Sequence, residues 1–278
     1  MVADVDLYAF AESRLGTCDL AGLVAVGKRG GQVVRVRDGH GREYVAKQHS
    51  DEEEHRREVH AYRHWAAALD DRAARLVAAD PETLMILITA LSGRAGQDAG
   101  DVSVHQQAGA LLRRLHDAQP AEPLDGFQKW VATRILWWRD QAASLLSASE
   151  QNLIDHHLIA MNDLGAPSGG PCHLDYQPRN WLIDSTGVLR VIDFEHARVG
   201  LQPRDFVRLQ FRYWPSRPDL RAAFFDGYGR ELTAAEQQIV RHCGAIDALT
   251  GLVRGMQTGD TELVGHGRAT LRRLQRED

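Results

Sequence analysis

The sequence predicts an α+β fold, with strands in the first third of the chain and helices in most of the remainder. Short apolar runs separated by turn residues fill the region from about residue 20 to residue 90. After residue 102, apolar residues recur at helical spacing over long stretches. A third feature is a polar loop at residues 171–195 that leads into a predicted hairpin and ends on a carboxylate. We expect the chemistry of the protein to lie there.

Length, charge and cysteine content exclude several classes of protein. A chain of 278 residues allows one or two domains with an ample core, and a formal net charge of −5 gives no sign of a nucleic-acid partner. The three cysteines have no metal-ligand spacing, which favours structural thiols in a reducing compartment. No apolar run approaches membrane-spanning length, and no basic-then-apolar signal follows Met1. We therefore expect a cytoplasmic protein with no membrane partner.

The first ninety residues are predicted to form a helix followed by a sheet. Glycine and Asp-Gly turns separate the strands, and a strongly acidic first turn begins a second helix after the third strand. The predicted helices are 2–15 and 51–69, and the predicted strands are 23–26, 32–37, 43–48, 73–79 and 84–88. A polar, glycine-bearing connector at 93–100 places the domain boundary after residue 92.

The rest of the chain is predicted to be nearly all helical. Two capping boxes, Ser147 with Glu150 and Thr233 with Glu236, mark helix starts. A loop rich in glycine, proline and serine at 162–170 precedes the polar stretch. The predicted helices are 103–118, 127–146, 147–161, 203–213, 233–256 and 260–276.

The stretch 171–195 combines an amide and two carboxylates with a short hairpin. Apolar runs at 181–183 and 188–192 flank a Ser-Thr-Gly turn, and the hairpin folds Asp193 back beside Asn180. Asn180 and Asp193 offer the oxygen ligands that Mg²⁺ prefers. Asp175, five positions before Asn180, can orient a hydroxyl and accept its proton. The arrangement follows the H-x-D-x-x-x-x-N and D-F-x pattern of phosphoryl-transfer enzymes.

These motifs resemble the aminoglycoside phosphotransferase and choline kinase family. The residues that carry the resemblance are His173, Asp175, Pro178, Asn180, Asp193, Phe194 and Glu195. The resemblance implies a bilobal, protein-kinase-like fold with a small β-rich N-terminal lobe, residues 1–92, that binds nucleotide. It also implies a larger, mostly helical C-terminal lobe, residues 93–278, that carries catalysis and substrate binding.

The resemblance also implies nucleotide-binding roles in the N-terminal lobe. Lys47 would reach the α- and β-phosphates, and a helix carboxylate would hold it; Glu58 is the first candidate and Glu54 the second. The glycines Gly30 and Gly31 would lie over the phosphates, although the full glycine-rich motif is absent. At the hinge between the lobes, backbone groups of the segment that contains Thr89 and Leu91 would pair with the adenine edge.

Two further roles follow from the resemblance. Asp205 would brace the catalytic loop through backbone N–H groups, with helix capping as an equally good alternative. His173 would be a scaffold for that loop, not a base.

The sequence differs from protein kinases at two places near the motif. Residue 174 is leucine where protein kinases have an arginine, and the spacer after Asp193 is short. Both points count against a protein substrate.

We therefore predict an enzyme that moves the γ-phosphoryl group of Mg-bound ATP or GTP to a hydroxyl of a small molecule. An antibiotic acceptor (aminoglycoside-like, nucleoside or peptide) is the leading choice, with resistance or self-protection as the outcome. The alternatives are a kinase of a primary metabolite that is choline-, homoserine- or sugar-like, and a nucleotide-binding pseudokinase. Residues 196–278 contain 13 Arg, no Lys and 10 Asp plus Glu, a balance of +3 that fits a polycationic acceptor poorly. A monomer and a dimer are both compatible with the sequence.

Overall fold

The computed structural model describes residues 2–26, 32–96, 100–164 and 166–277, which pack into two compact units. Each unit is built from segments that are far apart in the sequence. The first unit comprises residues 1–100, 111–118 and 178–198, and the second comprises 101–110, 119–177 and 199–278. The boundary after residue 92 stays a prediction. Among the described residues, no helix combines the length and the apolar character that a membrane span requires.

The first unit is built on a five-stranded antiparallel sheet in the order β1-β2-β3-β5-β4. Buried side chains of the sheet, such as Val34, Ala46 and Leu87, pack with Leu7 and Ala11 of helix α1 in one apolar core. The predicted strand order along the chain is confirmed, and β1 is longer than expected. The bounds are α1 Val2–Leu15, β1 Cys18–Val26, β2 Gln32–Asp38, β3 Glu43–Gln48, β4 Leu76–Asp80 and β5 Met85–Thr89.

Helix α2, Glu52–His64, follows β3 and is shorter than predicted. The Asp51 carboxylate accepts hydrogen bonds from the backbone N–H groups of Glu53 and Glu54, which satisfies the first turn. The expected helical continuation to residue 69 is instead a 3₁₀ segment, Ala66–Arg72, that contains a residue with φ of +52°, Asp70. A non-glycine residue in that region cannot continue a right-handed helix.

The predicted hairpin is present in the first unit. Strands β9, Trp181–Ile183, and β10, Leu189–Val191, pair antiparallel, and β6, Arg94–Ala95, pairs with the other edge of β9. The Asp184 carboxylate closes the turn by accepting hydrogen bonds from the backbone N–H groups of Thr186 and Val188.

The second unit is mainly helical and carries most of a small sheet in the order β11-β8-β7. Helix α3 supplies residues to both units. The strands are β7 Glu122–Pro123, β8 Ser168–Cys172 and β11 Arg198–Gly200. The helices are α3 Val102–His116, α4 Phe127–Trp130, α5 Leu136–Ala142, α6 Ala148–Asp163, α7 Pro218–Tyr228, α8 Ala234–Thr258 and α9 Thr261–Glu277.

Both capping boxes are confirmed at the starts of α6 and α8. Three predictions for the second unit were wrong. The helix expected over 127–146 is interrupted by a π-helical segment, Val131–Ile135, and the one expected over 203–213 consists of a 3₁₀ segment and a π-helical segment, Leu209–Tyr213. Part of the predicted loop is strand β8. Helix α7, which begins at Pro218 in the first turn, was not predicted at all.

Helices α3 and α7 approach each other closely at two glycines of the second unit. A Cβ added to Gly109 would lie 1.9 Å from the Phe224 carbonyl oxygen. A Cβ added to Gly227 would lie 1.8 Å from the carbonyl oxygen of Gln106. Both distances are far below van der Waals contact, so only glycine permits this crossing.

Candidate active site

Lys47 lies near the end of strand β3, where it is paired with Val33 of β2 and Ile86 of β5. Its side chain is 15% exposed, and its Nζ atom lies 2.8 Å from one carboxylate oxygen of each of three residues, Glu58, Asp193 and Glu195. Burial disfavours the charged ammonium, but the three carboxylates outweigh that effect and hold the pKa of Lys47 well above its ordinary value. The lysine therefore stays charged.

Glu58 projects from helix α2 and is 1% exposed. Its carboxylate accepts a hydrogen bond from Nε2 of His49 at 2.6 Å as well as pairing with Lys47. Burial raises the pKa of Glu58, but Lys47 and His49 more than offset this, and the pKa falls to about 2. The lysine thus pairs with Glu58, the first candidate that the resemblance implied, and not with Glu54. The nucleotide-binding role of the pair stays a prediction.

Asp193 follows the hairpin at a residue with φ of +69°. The backbone N–H of Ile192 donates to the Asn180 carbonyl oxygen at 3.0 Å, so the chain segments that carry Asn180 and Asp193 run side by side. The next residue, Phe194, is fully buried, and its ring centroid lies 5.3 Å from that of Tyr62 on α2. Packing of this ring anchors the segment beside the helix that carries Glu58.

The oxygen atoms gathered in the first unit have the chemistry that a magnesium site needs. Magnesium prefers hard oxygen ligands, mostly one or two carboxylates, and Asp193, Glu195 and the Asn180 amide supply such atoms. Three carboxylates, those of Glu58, Asp193 and Glu195, face the single ammonium of Lys47. Because His49 and Lys47 share Glu58, the oxygen atoms of Asp193 and Glu195 are the part of the cluster whose chemistry fits a divalent cation.

The predicted hinge residues lie at the end of β5. The Thr89 hydroxyl accepts a hydrogen bond from the Arg75 backbone N–H at 2.9 Å. The Leu91 carbonyl oxygen accepts one from the Arg35 guanidinium at 3.0 Å. Adenine binding by this segment stays a prediction. Gly30 and Gly31, predicted to lie over the phosphates, fall outside the described residues.

Asp175 lies in the second unit and is 2% exposed. Its carboxylate contacts the Arg208 guanidinium and accepts a hydrogen bond from the Gln177 side-chain amide. The backbone N–H of Asp175 donates a hydrogen bond to Nδ1 of His173 at 3.3 Å. This ring nitrogen of the fully buried histidine is therefore an acceptor. This contact suits the scaffold role predicted for His173.

Asp205 holds the loop that carries Asp175. Its two carboxylate oxygens accept hydrogen bonds from the backbone N–H groups of His173, at 2.8 Å, and Leu174, at 2.5 Å. Leu174 has φ of +61°, a conformation that is costly for a branched side chain. The bracing role is therefore confirmed, and these two bonds hold the strained residue before Asp175 in place.

The sequence analysis gave no role to three residues around these sites. Glu195 stands two positions after Asp193 and shares its lysine, and His49 stands two positions after Lys47 and shares its glutamate. Arg208 follows the bracing Asp205 by three positions, the spacing of one helical turn. Their positions close to Asp193, Lys47 and Asp205 in the sequence were the available signal, but the contacts of Glu195 and Arg208 join distant segments.

The family of the chain is shown by a sequence profile. The profile of the phosphotransferase enzyme family, APH, matches residues 24–238, which is most of the chain. No protein of curated function is similar enough to count as a match. The distribution of strands and helices and the order of motifs agree with this assignment.

Solved structures agree on the fold. Aminoglycoside phosphotransferase APH(4)-Ia is 17% identical with a TM-score of 0.73, and the similarity covers 99% of each chain. An aminoglycoside phosphotransferase from Alicyclobacillus acidocaldarius is 18% identical with a TM-score of 0.58, covering 93% of this chain and 92% of its own. Macrolide 2'-phosphotransferase MphH from Brachybacterium faecium is 16% identical with a TM-score of 0.60, covering 96% and 98%. The chain belongs to the phosphotransferase enzyme family and is a small-molecule phosphotransferase with a protein-kinase-like fold.

Proposed function

We propose that this phosphotransferase moves the γ-phosphoryl group of a magnesium-bound nucleoside triphosphate, ATP or GTP, to a hydroxyl of a small molecule. The observation that carries the proposal is the buried Lys47–Glu58 pair beside Asp193, a cationic group held next to metal-ligand oxygens. Phosphoryl transfer is catalysed mainly by positioning and by electrostatic stabilisation of the phosphate oxygens. A fixed ammonium and oxygen ligands for a cation are the parts that this chemistry needs.

Each residue then has a distinct role. Lys47, held by Glu58, binds the α- and β-phosphates, and Asn180 and Asp193 hold the magnesium ion. When bound, the magnesium ion neutralises charge on the phosphate oxygens. Glu195, the third carboxylate on Lys47, helps to hold the ammonium near Asp193. Gly30, Gly31, Thr89 and Leu91 complete the proposed nucleotide-binding residues.

Asp175 is the proposed catalytic residue on the acceptor side. Its carboxylate orients the acceptor hydroxyl and takes up its proton late, because the transition state of phosphoryl transfer is loose. The braced loop supports this role, since a fixed carboxylate can align a hydroxyl that a mobile one cannot. The two backbone hydrogen bonds to Asp205 supply that rigidity.

An antibiotic is the proposed acceptor class, with resistance or self-protection as the result. The structurally similar proteins include aminoglycoside and macrolide phosphotransferases, and one APH(4)-Ia structure is a ternary complex with ADP and hygromycin B. A kinase of a primary metabolite is the alternative. We also propose a cytoplasmic location, because nucleoside triphosphates are available there and the three cysteines are free.

The test is an acceptor screen with each nucleotide. ATP or GTP is mixed with magnesium, the protein and a panel of hydroxyl compounds that includes antibiotics, amino alcohols and sugars. Nucleotide consumption that depends on the acceptor, together with a product heavier by one phosphoryl group, is the expected result. Protein substrates serve as the control. Nucleotide turnover that no small molecule stimulates would overturn the proposal.

Two variants separate binding from transfer. Asp175→Asn should lower turnover by about 10²- to 10⁴-fold, the usual contribution of general-base catalysis, with little change in nucleotide affinity. Asp193→Asn should weaken Mg-nucleotide binding as well, because a neutral amide is a poorer ligand for a hard cation. Calorimetry and turnover are measured on both. Equal loss of binding in the two variants would contradict this division of roles.

A further inference from the structure

A cavity of about 140 Å³ lies within the second unit, next to Asp175. Leu174 and Tyr176, the residues on either side of Asp175 in the chain, both line it. Residues from the 3₁₀ and π-helical region before α7 and from α8 form the rest of the lining, among them Arg204, Arg208, Cys243 and Asp247. An acceptor bound here would place its hydroxyl close to the loop that carries Asp175.

The carboxylates that line this cavity are already engaged within the protein. Asp205 accepts the two backbone N–H groups of the loop. Asp247 lies 2.5 Å from the Arg212 guanidinium and 3.6 Å from Nε of Arg208. Burial raises the pKa of Asp247, but Arg212 and Arg208 outweigh this and lower it, so the carboxylate remains ionised and paired. Such a lining offers little to a polycationic acceptor.

Arg208 is the lining residue that contacts Asp175. A carboxylate paired with a guanidinium is a weaker proton acceptor, because the neighbouring cation favours its charged form. The Arg208 side chain is 24% exposed, and burial lowers the pKa of its guanidinium because desolvation disfavours the charge. Asp247 lies beside Nε of Arg208, whereas Asp175 contacts Nη1. Releasing Asp175 leaves Nη1 without this carboxylate, and an anionic group on the acceptor can take its place.

We propose that the acceptor carries a carboxylate or a similar anionic group near its reactive hydroxyl, and that Arg208 binds this group and thereby releases Asp175. The inference rests on the proposed function, because it assigns Asp175 to the acceptor. Arg208 is a specificity-determining residue in this scheme: a guanidinium presents donors that match a carboxylate in a bidentate arrangement. Binding of the correct acceptor and activation of Asp175 are then one event.

The test uses pairs of hydroxyl compounds that differ only by a carboxylate: glycerate and glycerol, serine and serinol, glucuronate and glucose, and antibiotics with a free carboxylate and their amides. Phosphoryl transfer is measured as kcat and KM for each member. For the wild-type protein we expect kcat/KM of the carboxylate member to exceed that of its partner at least about tenfold, the scale of one charge-assisted hydrogen bond.

Two Arg208 variants and one control variant then test whether Arg208 is the residue that causes the preference for carboxylate compounds. Arg208→Gln should bring the ratio within each pair close to one, mainly through a higher KM for the carboxylate member, and Arg208→Lys should keep part of the preference because it keeps the charge. Arg217→Gln removes an exposed arginine that pairs with Asp219 and should leave the ratio unchanged. Thermal unfolding checks that each variant is folded. If Arg208→Gln does not fold, the kcat/KM ratios of the wild-type protein and of Arg208→Lys still test the proposal: a smaller ratio in Arg208→Lys supports it, and equal ratios overturn it.

The failures of the two proposals are distinguishable. If no compound receives a phosphoryl group, the proposed function itself fails. If neutral or cationic compounds are phosphorylated as well as their carboxylate partners, or if Arg208→Gln keeps the wild-type ratio, phosphotransfer stands and the role of Arg208 is overturned.

Discussion

The buried carboxylate of Glu58 owes its ionisation to two neighbours, Lys47 and His49. Its folded-state pKa of about 2 lies below its ordinary value of 4.5. A carboxyl group whose pKa is lowered on folding stabilises the protein fully above its ordinary pKa, and that contribution is lost as the pH falls towards the folded-state value. The relevant window for Glu58 therefore runs from about pH 4.5 down to about pH 2.

We expect Glu58→Gln to remove this pH dependence. Glutamine keeps the size of the side chain but cannot ionise, so the difference in unfolding free energy between wild type and variant should shrink by about 3 kcal/mol between pH 5 and pH 2. Urea unfolding at a series of pH values measures it. Glu262→Gln, at a side chain that is 87% exposed, is the matched control and should run parallel to wild type. If the difference in unfolding free energy between wild type and Glu58→Gln stays constant with pH, the pKa of Glu58 is not lowered on folding.

The individual site residues differ in how far the sequence predicts them. The pairing of Lys47 with Glu58 was implied by the family resemblance, because the same acidic helix also offers Glu54. The contact of Glu195 with Lys47 joins residues almost 150 positions apart and depends on where the hairpin lies. Arg208 meets Asp175 beside a π-helical segment, a geometry that apolar periodicity does not reveal.

At the scale of elements, strands with turn residues and helices with capping boxes followed their sequence signals. The misses share a physical cause. A continuous helix was predicted over 127–146 because the apolar residues keep their helical spacing through this region. The structure has a π-helical segment there, Val131–Ile135, and its residues Val131 and Ile135 are still buried. The sequence pattern therefore does not reveal the interruption. Helix α7 has a weak pattern and packs through Gly227, which contributes no apolar side chain to periodicity. The π-helical interruption and helix α7 both depend on how side chains pack in the folded protein, and not on local helix propensity.

The close crossing of α3 and α7 gives the prediction for this scale. Gly109→Ala and Gly227→Ala should each destabilise the protein by at least about 1–3 kcal/mol, the usual cost of overpacking, despite the better helix propensity of alanine. Gly265→Ala in α9 is the matched control, since a Cβ there meets nothing within 4 Å. It should be neutral or stabilising by up to about 1 kcal/mol. Chemical unfolding of the three variants measures the effect, and equal stabilities would show that the helices can separate without cost.

At the scale of the whole molecule, the first unit needs the hairpin segment for its completion. Residues 178–198 bring the fully buried Phe194 against Tyr62 and pair Val191 with Ala73. Burying a phenylalanine side chain contributes about 1.5–3 kcal/mol. The overall distribution of strands and helices was predictable from the sequence, because it follows local signals. The grouping of 178–198 with the first hundred residues was not, because it depends on contacts between distant segments.

We therefore expect a fragment of residues 1–100 to unfold without cooperativity. Joining residues 178–198 to it through a flexible linker should restore part of the cooperative transition, and the same fusion with Phe194→Ala should restore less. Circular dichroism during heating compares the three fragments with the full chain. A fragment of 1–100 that melts as sharply as its fusion would mean that the hairpin segment contributes nothing to that unit.

The discontinuous composition of the two units also limits how this enzyme can exchange parts with its relatives. The chain passes from one unit to the other after Gly100, Ala110, Ala118, Gln177 and Arg198. A recombination event with a single crossover would therefore leave at least one of the two units composed of pieces from different parents. Transplanting the first unit intact requires three separate segments, so a library of chimeras built by multiple crossovers at these five junctions should retain more folded members than one built by single crossovers.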